Sequence, residues 1–134
     1  MAANKKPRNK ARRPRAVNIP MMAGTRDNLA LELRLAIEAL IEAPSPDTYN
    51  QLSKMLAAIN YTGTQGKWLD LATETLTAVC ERYERVGKVG ASEFEAESLR
   101  RASAGLDAML GTIPMNRFRD AVARVAIYAE EMGV

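Results

Sequence analysis

The chain contains no histidine and one cysteine, Cys80. Without histidine it lacks the commonest general base and the commonest metal ligand. One thiol excludes an intramolecular disulfide and a cysteine-built zinc site. The two shortages together exclude Cys-His and Ser-His-Asp nucleophilic machinery. Aromatic residues are also scarce, at 5% of the chain against 47% apolar residues. Leu, Ala and Met supply much of that apolar share, and all three favour helix. No run of about 18 apolar residues occurs, so the sequence offers no membrane span. A Gly-x4-Gly-Lys-Ser/Thr phosphate loop is missing as well. The glycines at 63 and 66 lie too close together, with no strand before them.

One absence is local. The first fifteen residues hold no acid but seven cations: Lys5, Lys6, Arg8, Lys10, Arg12, Arg13 and Arg15. The chain has 19 Lys and Arg and 16 Asp and Glu. Beyond residue 15 that leaves 12 basic against 16 acidic side chains, a net of −4. The basic character therefore belongs to the N-terminal segment and not to the body. Residues 1–20 read as a disordered basic tail, because self-repelling charge with little to bury cannot fold alone. Pro7, Pro14 and Pro20 each bias the preceding residue away from helix.

Residues 21–134 read as a single α-helical domain, large enough for one core without staples. A first helix is expected to start at Thr25 or Asp27 and run to about Ala43. Leu29, Leu33, Ala36 and Leu40 form its seam, and Leu31 and Leu35 widen it to a second side. Such a broad stripe implies neighbours on two sides or a subunit interface. Pro44-Ser45-Pro46 ends that helix, and Ser45 caps a second with Pro46 at its first position. The second helix carries Tyr49, Leu52, Leu56 and Ile59. A third runs from Lys67 to Val86, with Leu69, Leu76 and Tyr83 one heptad apart. Ser92 and Glu95 form a capping box for the fourth, which extends to Gly111. Gly105 inside it marks close packing or a weak point. Thr112 and Pro114 open the last helix, whose face is Phe118, Val122, Val125, Ala129 and Met132. Asp120 with Arg124 and Glu97 with Arg101 are spaced as i,i+4 ion pairs. No segment alternates with period two between hairpin turns, so the fold class is all-α, a compact bundle of about five helices.

The sequence points to no catalytic residue, metal site or cofactor, so the chain reads as non-enzymatic. The seven tail cations are the candidate nucleic-acid contacts, since Arg pairs bidentately with phosphate. RNA and DNA remain equal alternatives. A solubilising leader and a localisation address are the competing readings of the same charges. A helix-turn-helix is disfavoured, because the loop before Lys67 is long and Asp70 and Glu74 sit near the next helix's start. Tyr61 and Trp68 read as core anchors, and Cys80 as a buried, inert thiol. Arg117 and Arg124, one heptad apart, could extend a basic surface, but Asp120 between them favours an ordinary salt-bridged face. The alternative function is a helical interaction module, joining a partner or a second copy through Met21, Met22, Leu31 and Leu35. The N-terminal basic region has no apolar stretch behind it, so it does not read as a secretory signal. Its prolines and lack of an apolar face argue against a mitochondrial presequence. The expected compartment is the cytoplasm.

The run from Lys5 to Val17, followed by Pro20-Met21 and Thr25-Arg26-Asp27, resembles the start of short uncharacterised proteins of bacteriophages and prophages. The resemblance covers about the first third of the chain and is largely compositional. It implies a bacterial cytosolic setting and an accessory or regulatory role. It brings no catalytic residues.

Overall fold

The computed structural model describes residues 18–134. The seven tail cations lie outside the described residues. Five helices follow: α1 (Ala23–Glu42), α2 (Pro46–Tyr61), α3 (Lys67–Val86), α4 (Glu93–Leu110) and α5 (Met115–Met132). No strand occurs among the described residues, as the absence of period-two alternation predicts.

The first four helices close a ring. α1 packs on α2 and α4, and α3 on α2 and α4, while the backbones of the diagonal pairs stay apart. α5 lies outside the ring and packs on α2 alone. Short connections bring α2, α3 and α4 each back beside its predecessor, whereas α5 crosses to α2. Trp68 of α3 meets Gly105 of α4 near one end, and Arg82 meets Glu95 near the other. These two helices are therefore antiparallel. The ring interior is filled by Leu33 and Leu40 (α1), Leu52 and Ile59 (α2), and Leu99, Leu106 and Leu110 (α4), each essentially without solvent contact. Leu69, Ala72 and Leu76 of α3 complete this core.

Local chemistry sets most boundaries. Ser45 accepts from the Thr48 N–H (3.1 Å) while Thr48 Oγ1 accepts from the Ser45 N–H (3.0 Å), with Pro46 at the first turn. Ser92 and Glu95 close the same reciprocal box on α4. α3 ends where Gly87 takes a left-handed conformation (φ +79°), and its N–H caps the Tyr83 carbonyl. Gly105 has no room for a side chain: a Cβ there would stand 2.3 Å from the Trp68 ring.

Several expectations change. α1 starts at Ala23 with no side-chain cap, so neither Thr25 nor Asp27 caps it. The chain enters α1 already fixed, because Met21 is buried in the ring core. Thr112 does not open α5; its hydroxyl donates to the Met109 carbonyl (2.7 Å) and closes α4. On α5 the buried row is Ala121, Val125 and Ala129. Val125 and Ala129 of the expected face are buried and Phe118 packs on the core, but Val122 and Met132 stay exposed and Ala121 takes their place. Tyr83 and Val86, at the end of the α3 stripe, are exposed too. The ion pairs also differ from the i,i+4 expectation. Glu38–Arg100 and Arg34–Asp107 tie α1 to α4, and Arg82–Glu95 ties α3 to α4. These three pairs bridge neighbouring helices, and the fourth among the described residues, Arg26–Asp27, joins adjacent residues of α1.

Candidate nucleic-acid interface

One end of the bundle gathers three segments distant in sequence. They are the root of the N-terminal segment, the α2–α3 loop and the start of α5. The root is held directly. Met115 N–H donates to the Ile19 carbonyl (2.6 Å), and Ile19 N–H donates to Asn116 Oδ1 (2.9 Å). These two bonds place residues 18–20, assigned to the tail by sequence, beside the first turn of α5. Met21 then anchors the following residue in the core. Residues 18–20 therefore lie beside the turn of α5 that carries Arg117 and Arg119.

The first turns of α5 add charge of the same sign. Arg117, Arg119 and Arg124 are exposed, and among the described residues none of them forms an ion pair. Asp120 forms none either, which corrects the expected salt-bridged face. The reason is visible in the side-chain directions. Arg124 extends over the Tyr61 ring, 5.9 Å from its centre. Arg117 reaches toward Gly63, within 3.8 Å of where a Cβ would stand. Gly63 adopts φ +89°, a conformation suited to glycine, so the α2–α3 loop turns tightly against α5. Thr62 stabilises that turn by donating to the Ile59 carbonyl (2.6 Å). The result is an open recess of about 300 Å³ lined by Tyr61, Thr62, Gly63, Arg117, Asp120 and Arg124.

Tyr61 was expected in the core, but it is 49% exposed. The last residue of α2 points beyond the ring, where only α5 borders it. Trp68 behaves as expected, partly buried against Gly105, with Lys67 Nζ 4.8 Å above its ring. The pattern that could have flagged Tyr61 is its place at a helix end beside a Gly-rich loop, off the Leu52–Leu56–Ile59 seam.

The other candidates are separated. Met21 is buried, which corrects its assignment to a partner surface: its side chain is used up in fixing the entry to α1. Met22 is 72% exposed, and Leu31 and Leu35 are 49% and 58% exposed. The two leucines stand one turn apart on α1, on the helix that also carries Arg34 and Glu38 of the pairs to α4.

Among the described residues no group of three or more Cys, Asp and Glu residues is placed to hold a metal ion. Tyr49 is held as a neutral phenol: burial first, and then nearby Cys80, push its hydroxyl up to about 12. That hydroxyl donates to the Leu76 carbonyl (3.3 Å), a bond between α2 and α3. Among the described residues no helix is long and apolar enough to cross a membrane. Comparison with protein-family models, curated proteins and solved structures finds no match for this chain.

Proposed function

We propose that this chain is a non-enzymatic nucleic-acid-binding protein with an accessory or regulatory role. The basic N-terminal segment, Lys5 to Arg15, contacts the phosphates, and the helical body orients it. The observation that supports this reading most is the clamp at Ile19. It fixes residues 18–20, which follow the seven cations in sequence, beside the turn of α5 that carries Arg117 and Arg119, neither of them ion-paired among the described residues. A charged leader that only aided solubility would need no such anchor. Arginine supplies most of this charge, as suits bidentate phosphate contacts. The remaining body is acidic overall, so phosphate attraction is confined to this end and the interface is oriented.

Affinity then rests mainly on phosphate neutralisation and carries little sequence preference. If all seven cations meet duplex phosphates, the logarithm of affinity falls with the logarithm of salt at a slope of about −6. Titration of the full chain and of a chain lacking residues 1–17 against RNA and DNA, at two salt concentrations, tests this. Binding by the full chain with the steep slope, and its loss in the shortened chain, is the expected result. Equal binding by both proteins refutes the proposal.

A further inference from the structure

The recess between Tyr61 and α5 has features that phosphate attraction by the basic segment does not require. It joins a half-exposed aromatic ring, an arginine reaching over that ring and a second arginine beside a tight glycine turn. Aromatic faces accept unpaired bases of any sequence, and arginine contributes both charge and stacking. Bases inside a duplex are already stacked and offer no free face to such a ring. We infer that the recess is a subsite for an unpaired nucleotide, so that the protein favours single strands over duplex. This inference rests on the nucleic-acid reading above.

In this arrangement the base stacks on Tyr61, and Arg124 packs against the same ring and neutralises a phosphate. Arg117, two turns earlier on α5 and so about 10 Å away along the helix axis, meets a neighbouring phosphate. Asn116, adjacent to Arg117, holds the root of the basic segment. A strand lying on the recess therefore continues toward residues 18–20, which follow the seven cations in sequence. Asp120 is the one acid in the lining and opposes binding. With two arginines present, the recess retains a net positive charge. Trp68, although aromatic, is not part of the subsite, because its ring is engaged by Gly105 and Lys67.

The test uses the full chain and two labelled probes of equal length, one single-stranded and one duplex, followed by fluorescence anisotropy. Tyr61→Ala is expected to weaken single-strand binding by about 5- to 150-fold, the range of one base stack, and to leave duplex binding unchanged. Tyr61→Phe keeps the ring and retains single-strand affinity. Arg117→Gln and Arg124→Gln each make the single-strand salt slope shallower by about 0.7, while Asp120→Asn tightens binding. Wild-type affinity of Tyr61→Ala for the single strand, with binding still dependent on residues 1–17, overturns the subsite and leaves the proposed function standing. Equal losses on both probes also overturn it. A full chain that binds neither probe refutes both proposals.

Discussion

The four-helix ring and α5 use similar apolar patterning to different ends. Every one of the largest fully buried side chains among the described residues lies in the ring: Leu33, Leu40, Leu52, Ile59, Val79, Leu99, Leu106 and Leu110. The buried row of α5 is Ala121, Val125 and Ala129, and its second small cluster is completed by Ala58. Leucines facing across a ring bury area on several neighbours at once. The alanines and one valine of that row bury far less, and Met115 and Phe118 at the start of α5 are only partly buried against the ring core. The ring thus carries the stability, and α5 is left to present charge. The same contrast separates the two aromatics near the α2–α3 loop. Trp68 belongs to the ring and fills the space over Gly105, whereas Tyr61 faces α5 and stays accessible.

The comparison breaks most directly if a core deletion costs the same in both parts. Leu106→Ala is expected to lose about 2–5 kcal/mol of unfolding free energy. Val125→Ala should lose only about 1–2 kcal/mol, the value of a few methyl groups at a half-supported site. Urea unfolding of the two variants measures this, and equal losses would show that α5 is as much a part of the core as α4.

A smaller effect is expected at the contact between Trp68 and Gly105. Replacing glycine by alanine within a helix ordinarily gains about 1 kcal/mol. Here the added Cβ would lie 2.3–2.4 Å from three atoms of the indole, a bulky group that has to move bodily. Overpacking of this kind costs about 1–3 kcal/mol. Gly105→Ala should therefore be neutral to destabilising, and the fluorescence of Trp68, the chain's only tryptophan, should shift. A stabilised variant with unchanged fluorescence would mean that Trp68 is not seated on α4.

The mildest prediction sharpens the description of the ring's far end. Burial alone would raise the Glu95 carboxyl, but hydrogen bonds from Arg82 and from the Ser92 N–H outweigh it and hold the group below its usual range. A carboxyl with a lowered folded value binds protons less readily than in the unfolded chain. Its contribution is complete above the ordinary value of about 4.3 and is lost as pH falls through the folded value. Glu95→Gln should cost about 1 kcal/mol at neutral pH. The difference from wild type should narrow on acidification below about pH 4.3. Thermal melts at neutral and acidic pH measure it, and a difference that does not change with pH would remove the charge from the argument.

Much of the fold was readable because local chemistry carried it. Ser45-Pro46 and Ser92-Glu95 announce helix starts, since their side chains satisfy backbone groups within three residues. Gly87 announces an end for the same local reason. The α3 limits, Lys67 and Val86, follow from glycines on either side. Expectations went astray where a distant group decided the outcome. Thr25 and Asp27 are good caps, yet burial of Met21 already fixes the chain entering α1. Asp120 and Arg124 have ion-pair spacing, yet the Tyr61 ring takes the guanidinium. The α5 heptad is regular, but α2 can cover only one row of it.

The sequence by itself determined the helical class, most helix ends and the separation of a basic segment from an acidic body. These depend on composition and on contacts within one turn. Tertiary structure alone decided that α1 to α4 form the ring and α5 stands outside it. It also decided that Ile19 is pinned at Asn116, and that Tyr61, Arg117 and Arg124 share one recess. Each of those pairings joins residues far apart in the chain. Their meeting depends on which buried faces fit together, a property of the packed molecule and not of any one segment.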